Sequence, residues 1–154
     1  MNNKQGWINL YKPKNISSFK AINKIKKKFA IKKIGHAGTL DPLAQGILPI
    51  ALNSTTKLIP FINNNLKKYN FDIMWGAQTS TDDCEGEILF KSNNIPEKKQ
   101  IEQKIIKYIG YFCQVPPKVS AVKINGKRAY KLVREKISFD ISPKTVFVKN
   151  IKLI

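Results

Sequence analysis

The most unusual segment of the chain is a glycine-rich loop that contains a single carboxylate. Residues 35–46 have the sequence GHAGTLDPLAQG. The three glycines allow positive φ angles or close approach of the backbone to a ligand, and Pro42 disfavours a helical conformation at Asp41. An aspartate on such a turn could act as a nucleophile towards a sugar carbon, as in glycosyl chemistry. On local chemistry alone, an ordinary surface turn is the more common interpretation of this pattern.

The remaining sequence argues against a metal centre and against a membrane protein. Cys84 and Cys113 are the only cysteines and His36 is the only histidine, and their spacing does not match a zinc site. No apolar run approaches the roughly 20 residues needed to cross a bilayer. The first residues lack the apolar segment of a secretory signal, so we expect a cytoplasmic protein with two buried, reduced thiols.

The charge balance favours a polyanionic partner. The 154 residues include 28 Lys and Arg but only 10 Asp and Glu, a net charge of +18. Only Arg128 and Arg134 are arginines, and lysine suits attraction to backbone phosphates better than reading of base edges. The chain is also rich in Asn and Ile, which AT-rich codons encode together with Lys. Composition alone therefore gives equal weight to nucleic-acid binding and to genomic bias.

The hydrophobic patterns predict a single domain of the α+β class, with a mixed, mostly antiparallel sheet flanked by helices. A helix that follows a cap at Ser17 or Ser18 carries Phe19, Ile22, Ile25 and Phe29 at helical spacing. Further helices are predicted at residues 55–62, 97–109 and 128–135. Strands are predicted at residues 7–11, 47–52, 69–75, 87–91, 119–124 and 145–154.

The glycine-rich segment also resembles a known family signature. GHAGTLDPLAQGILP is similar to the catalytic motif of the TruB family of tRNA pseudouridine synthases, and its wording is closest to the bacterial enzymes. Four further segments follow the family's order and cover most of the chain. KPKNISS resembles KPxGxSS, KKY resembles K-x-Y, GAQTSTDDCEG resembles GxxTDTxDxxG, and VPPKVSAVKINGKRAYKLVR resembles PPxxSAxKxxGxRxYxxAR.

The resemblance implies an isomerase that acts on the uridine at position 55 in the T-loop of tRNA. In this family uracil is detached from its ribose, turned and rejoined through C5, without a metal or cofactor. The resemblance assigns the nucleophile to Asp41, and whether that carboxylate attacks the sugar or the base stays open. The target base must leave its stack before the carboxylate can reach it, at a cost of a few kcal/mol.

The resemblance also assigns roles to other side chains. It implies that His36 helps to hold the flipped-out loop and that Tyr69 stacks on the target base, with a part in proton transfer. Lys12 and Lys123 are assigned to RNA binding, through phosphate contact or shaping of the active site. For Asp83 we expect a structural role. Without the resemblance, each of these would be interpreted as an ordinary surface or strand residue.

Three departures from the family pattern affect the prediction. Asn15 replaces the usual Gly of KPxG, although Asn tolerates a left-handed conformation, and Ser80 replaces the first Asp of TDT. Residues 1–154 correspond to the N-terminal portion of the catalytic domain. The remainder of that domain, which carries an Arg partner for the nucleophile, and the RNA-binding PUA domain are absent from this sequence. Two hypotheses therefore stand: a pseudouridine synthase, either alone or completed by a separate chain, or a truncated module that binds the T-arm without isomerising it.

Overall fold

The computed structural model describes residues 4–62, 66–120 and 122–154. The chain divides into two compact units, Met1–Asn70 and Phe71–Ile154, and each is described by itself. Both units contain helices and strands, and every strand pairing within the described ranges is antiparallel. The predicted α+β class is therefore confirmed, although the described strands form four small sheets rather than one.

A three-stranded sheet forms the centre of the first unit. Its central strand has neighbours on both sides and mostly buried apolar side chains, as its continuous apolar sequence predicts. In spatial order the strands are β1 (Gly6–Lys12), β3 (Gly46–Leu52) and β2 (Ile34–His36). The predicted strands 7–11 and 47–52 are confirmed. Strand β2 is an addition, because three residues inside a glycine-rich segment are too few to show an alternating pattern.

Helix α1 (Ser18–Lys28) packs against the sheet. The hydroxyl of Ser17 accepts a hydrogen bond from the Lys20 N–H at 3.2 Å, which confirms an N-cap at this position. The core cluster consists of buried aliphatic side chains from the helix, the sheet and the connection between them: Ile22, Ile31, Leu48, Ile50 and Leu52.

The predicted apolar face of α1 is only partly correct. Its buried residues are Ser18, Ala21 and Ile22, whereas Phe19 is 68% exposed and Phe29 is 45% exposed. Phe19 follows Ser18 by one residue, which turns its side chain about 100° away from the buried stripe. Phe29 lies beyond the last helical residue. The contact face therefore consists of small residues and isoleucine rather than phenylalanine.

The rest of the first unit contains little regular structure. A 3-10 helix (Asn53–Leu58) continues into the short helix α2 (Ile59–Ile62), close to the predicted helix at residues 55–62. The predicted strand at residues 69–75 is wrong, since residues 66–74 carry no regular secondary structure and are exposed. An alternating sequence forms a strand only when another strand pairs with it, and no described strand does so here.

The second unit consists of three two-stranded sheets and two helices. The sheets pair β4 (Ala77–Thr79) with β5 (Ile88–Lys91), β6 (Gly110–Gln114) with β9 (Lys144–Val148), and β7 (Lys123–Ile124) with β8 (Lys127–Arg128). Helix α3 (Lys98–Ile105) continues as a 3-10 turn (Ile106–Tyr108), and helix α4 (Ala129–Arg134) follows β8. Among its described residues, only the hydrophobic side chains of Ala129 and Leu132 are buried.

Several predicted boundaries in the second unit need correction. The strand predicted at residues 119–124 is reduced to β7, and Ala121 lies outside the described residues. The strand predicted at residues 145–154 ends at Val148. The two cysteines are exposed rather than buried. Within the described ranges, no helix combines the length and the apolar character that a membrane span requires.

Candidate active site

Residues 37–45 connect β2 to β3, and backbone hydrogen bonds define their path. The Ala37 N–H donates to the Pro49 carbonyl at 2.9 Å, which continues the contact between the two strands. Leu40 packs its side chain against the hydrophobic core. The Ala44 N–H then donates to the Asp41 carbonyl at 3.1 Å and closes a turn. Asp41 is therefore an exposed residue that lies directly between an apolar anchor and a closed turn.

The hydroxyl of Ser18 satisfies both backbone polar groups of Leu40. Its Oγ donates to the Leu40 carbonyl at 2.9 Å and accepts from the Leu40 N–H at 3.0 Å. Ser18 is only 3% exposed, so these bonds are made away from water. The first turn of α1 therefore fixes the backbone immediately before Asp41. Either Ser17 or Ser18 was expected to cap the helix, and the bonds of Ser18 to Leu40 were not predicted, although the motif KPKNISS contains this residue.

The side chain of Lys12 fixes the backbone on the other side of Asp41. Lys12 is completely buried at the end of β1. Its Nζ donates to the carbonyls of Ala44 at 2.6 Å, Ile16 at 2.8 Å and Pro13 at 3.0 Å, with a longer contact to Pro42 at 3.5 Å. One ammonium group thereby joins the loop before α1 to the turn that follows Asp41.

Burial lowers the pKa of Lys12 below its usual 10.5, and the negative charge of Asp41 partly opposes this effect. A buried ammonium group is tolerated only when oxygen acceptors replace its water, which the four carbonyls do. Contact with a phosphate would require the Lys12 side chain to leave all of them. Of the two roles expected for Lys12, phosphate contact and shaping of the site, this geometry favours shaping of the site.

Asn15 adds a third connection between the same two loops. Its N–H donates to the Pro42 carbonyl at 2.7 Å, and its φ angle is 63°. A left-handed conformation explains why the family pattern has Gly here, and Asn is one of the few other residues that adopt it at low cost. The turn thus survives the replacement, as predicted.

His36 lies at the end of β2, opposite Ile50 and next to the loop that carries Asp41. The ring is half-buried, and its Nδ1 contacts the Gly38 carbonyl. Because a carbonyl can only accept, Nδ1 carries the proton, and in the neutral ring Nε2 is then an acceptor. The ring is therefore oriented by the same loop that carries Asp41.

The first unit is strongly basic, with Asp41 as its single exception. Residues 1–70 contain thirteen lysines, no arginine and no acidic residue other than Asp41, whereas nine of the ten acidic residues lie in residues 71–154. A genomic bias towards lysine does not by itself remove acidic residues from one half of a chain. The uneven distribution therefore favours a polyanionic partner for this unit.

The segment before the second unit contributes one neighbour to the loop. The Cε of Lys67 lies 3.7 Å from the position that a Cβ on Gly38 would occupy. Lys67 belongs to the KKY motif, so the motif includes a residue of this contact. No role was predicted for Lys67 from the sequence. Tyr69, two residues later, is 61% exposed and lies outside regular secondary structure.

The remaining candidates belong to the second unit. Lys123 is exposed on β7, in the hairpin that turns at Asn125 and Gly126 with φ angles of 47° and 83°. Asp83 organises a turn, since its Oδ1 accepts from the Thr81 hydroxyl at 2.6 Å and from the Glu85 N–H at 2.9 Å. These contacts agree with the structural role expected for Asp83. Within the described ranges, no three His, Cys, Asp or Glu residues are grouped to hold a metal ion.

Comparison with known proteins identifies relatives over almost the whole chain. It is 52% identical over 149 residues to tRNA pseudouridine synthase B of Wolbachia pipientis subsp. Culex pipiens, covering 97% of this chain and 42% of that protein. It is 48% identical to the proteins of the same name in Ehrlichia chaffeensis and Bartonella henselae, again covering 97% of this chain, and 50% and 47% of those proteins. The chain thus spans about half the length of these relatives.

Two further comparisons concern the fold and the family. The crystal structure of a Cbf5-Nop10-Gar1 complex contains a chain that is 28% identical, with a TM-score of 0.51 over 77% of this chain and 31% of that chain. Residues 26–154 match the model of the TruB family pseudouridylate synthase N-terminal domain. The match includes Asp41 and most of the structure described above, and the chain therefore belongs to the TruB family of pseudouridylate synthases.

Proposed function

We propose that the chain acts on tRNA as a pseudouridine synthase, that it isomerises the uridine at position 55 of the T-loop, and that Asp41 is its nucleophile. The placement of Asp41 carries this proposal. It is the only acidic residue of its unit, it is exposed, and the backbone on its two sides is bonded to Ser18 and Lys12. A carboxylate held in this way is positioned before the substrate arrives.

The proposed reaction rearranges atoms without a co-reactant. The bond between ribose and uracil N1 breaks, the uracil turns, a bond forms between the same ribose carbon and C5, and the proton on C5 is released while N1 gains one. The Asp41 carboxylate forms a transient covalent bond during this exchange and is then regenerated. Attack on the ribose or on the base is compatible with an exposed carboxylate, and we propose no order between them.

The target base must leave its stack, and we assign compensation for that cost to three further side chains. We assign stacking on the base to Tyr69, with a contribution of its hydroxyl to proton transfer. We call residues 37–45, which carry Asp41, the catalytic loop. His36 is assigned to contact with the flipped-out loop of the RNA, because its ring is held at the edge of the catalytic loop. Lys123 is assigned to a phosphate of the RNA and Lys12 to the shape of the turn.

A second candidate function rests on the positive charge of the first unit, which favours a polyanionic partner whether or not a reaction follows. The chain covers 42–50% of the three relatives named above. In the described ranges, the ion pairs are Lys98–Glu102 and Lys127–Glu135, and neither includes Asp41. The alternative is a module that binds the T-arm without isomerising it, whereas a separate chain that completes the catalytic domain belongs to the first candidate function. Because the proposed substrate is tRNA, we place either form in the cytoplasm.

Release of label from C5 tests the proposed reaction. T-arm RNA that carries tritium on C5 of the target uridine is mixed with the 154-residue chain, and tritium in water is counted. We expect release by the wild type and a loss of at least roughly a thousandfold for Asp41→Asn, which keeps the shape of the side chain. Asp72→Asn, which removes one exposed carboxylate from the second unit, is the matched control.

The outcomes separate the two candidate functions. Release by wild type and by Asp72→Asn, but not by Asp41→Asn, supports the isomerase. Binding of the RNA by wild type without release supports the binding module. Equal release by wild type and Asp41→Asn contradicts the assignment of the nucleophile.

A further inference from the structure

A basic groove lies on the surface of the first unit, beside the catalytic loop. It has a volume of about 570 Å³ and runs between residues 13–16 and one side of α1. Four of its lining residues are lysines: Lys14, Lys20, Lys24 and Lys27. We call this feature the α1 groove. None of the roles assigned so far uses these lysines.

The three helical lysines of the α1 groove share one face. Residues 20, 24 and 27 follow the i, i+4, i+7 spacing, on the side of α1 opposite the buried residues Ser18, Ala21 and Ile22. Like charges at this spacing destabilise the helix by roughly 0.2–0.5 kcal/mol per pair. A bound anion would attract these lysines, so their charges would then stabilise the complex.

Among the described residues, no ion pair offsets the charge of the groove. Helix α1 contains no acidic residue, and the ion pairs of the described ranges lie in the second unit. Helix α3 provides a comparison within the same chain, because its Lys98 pairs with Glu102 one turn later. One helix of this lysine-rich chain thus pairs a lysine with a glutamate, and the other has no acidic residue. A compositional bias towards lysine alone does not explain this difference.

The dimensions of the groove favour a chain of phosphates over a single anion. Lys20 and Lys27 are seven residues apart, which corresponds to roughly 10 Å along the helix axis. Flexible lysines act as point charges that follow a phosphate backbone, and they lack the planar fork with which arginine reads bases. Pro13 and Ile16 also line the groove.

Residues 13–16 form one wall of the groove, and they also bond to the turn at Asp41–Ala44. The carbonyls of Pro13 and Ile16 accept from the Nζ of Lys12, which also donates to Ala44. The Asn15 N–H donates to the Pro42 carbonyl. A strand bound in the groove would therefore lie against residues bonded directly to the turn that presents Asp41.

We propose that the α1 groove binds the sugar–phosphate backbone of the substrate RNA next to the nucleotide presented to Asp41. This inference rests on the proposed function and names the surface that orients the RNA strand. It gives Lys20, Lys24 and Lys27 a role in binding, and it leaves the chemical step to the catalytic loop.

The test compares two triple variants that remove the same charge. Lys20→Gln, Lys24→Gln and Lys27→Gln together alter the groove, and Lys99→Gln, Lys104→Gln and Lys107→Gln together alter exposed lysines at α3 and the turn that follows it. Binding of a T-arm RNA is measured by fluorescence anisotropy over roughly 50 to 200 mM salt. Circular dichroism is used to check that both variants retain the secondary structure of the wild type.

Loss of three phosphate contacts is expected to reduce the slope of log K against log salt by roughly 2 in the groove variant. The α3 variant is expected to keep the slope of the wild type. Equal slopes for groove variant and wild type would overturn the proposal. An equal reduction in both variants would also overturn it, because net charge rather than this surface would then control binding.

Label release at saturating RNA separates this proposal from the function on which it rests. The groove variant retains Asp41, so we expect its release under saturation to approach that of the wild type. If the groove variant binds RNA like the wild type and release is lost only in Asp41→Asn, the groove proposal is contradicted and the isomerase function is supported. If the groove variant has a reduced salt slope and no protein releases label, the groove is supported as an RNA-binding surface and the isomerase function is contradicted.

Discussion

The Nζ of Lys12 lies 2.6 Å from the carbonyl oxygen of Ala44, three residues after Asp41. The same nitrogen donates to carbonyls in the loop before α1. A buried cation thus joins two loops through backbone acceptors and leaves the only carboxylate of the unit exposed between them. The ammonium group of Lys12 positions the backbone, while the carboxylate of Asp41 stays exposed.

Removal of the Lys12 ammonium should destabilise the protein. In Lys12→Met a side chain of similar length fills the space, but the carbonyls that Nζ satisfied lose their donor. We expect a decrease of about 3 kcal/mol in the free energy of unfolding, measured by urea denaturation. Lys14→Met replaces an exposed neighbour and should change it by less than about 0.5 kcal/mol. Equal stabilities of the two variants would contradict the buried role.

The same pair of proteins gives a pH dependence. Burial lowers the pKa of Lys12 below 10.5, so between the folded pKa and 10.5 the unfolded chain binds more protons than the folded one. Stability due to this group therefore rises with pH in that window. We expect wild type to gain stability relative to Lys12→Met as the pH is raised towards 10.5. A relative loss would mean that the carbonyls raise the pKa rather than that burial lowers it.

The Ser18 clamp should affect stability and activity together. Ser18→Ala leaves the N–H and carbonyl of Leu40 without their partner, at a cost of about 2 kcal/mol in unfolding free energy. Ser17→Ala removes only the helix cap, at about 1 kcal/mol. Because only Ser18 contacts the residue before Asp41, label release under folded conditions should fall in Ser18→Ala and persist in Ser17→Ala. Equal release by both would show that the clamp does not position the nucleophile.

Substitutions at Tyr69 separate stacking from proton transfer. Tyr69→Ala should weaken T-arm binding by roughly 1–3 kcal/mol, the contribution of one stacked base. Tyr69→Phe keeps the ring, so binding should stay near that of the wild type while label release decreases. Binding that is unchanged in Tyr69→Ala would contradict the stacking role, and full release by Tyr69→Phe would contradict a role for the hydroxyl.

A complementation experiment tests completion by a separate chain. We expect a polypeptide with the C-terminal half of the Wolbachia relative to co-elute with this chain and to increase its label release. The exposed apolar residues Phe71, Ile73 and Trp75 offer surface for such an association. The same polypeptide mixed with Asp41→Asn is the control and should give no release. Absence of both co-elution and stimulation would contradict a separate completing chain.

The parts of the fold that the sequence predicted are those determined by local patterns. The core strand β3, the cap at Ser17 and helix α4 each depend on neighbours in sequence. The strand expected at residues 69–75 failed because strand formation depends on a distant partner that local alternation does not reveal.

The candidate site also contains features that the sequence predicted and features that it did not. The loop around Asp41 was recognisable from its glycines and from the family motif. The burial of Lys12 was not, because a lysine at a strand end is normally a solvated surface residue. Only the three-dimensional convergence of the Pro13, Ile16 and Ala44 carbonyls makes that burial possible. A further clue available in the sequence was the confinement of acidic residues, apart from Asp41, to residues 71–154.

Mapping of pseudouridine in an unmodified full-length tRNA tests whether Asp41 is the nucleophile that modifies position 55. After incubation with the chain, modified positions are located by carbodiimide treatment and primer extension. We expect a pseudouridine at position 55 with wild type and with Asp72→Asn, and none with Asp41→Asn. Formation of the same pseudouridine by Asp41→Asn at the rate of the wild type would contradict the assignment of the nucleophile.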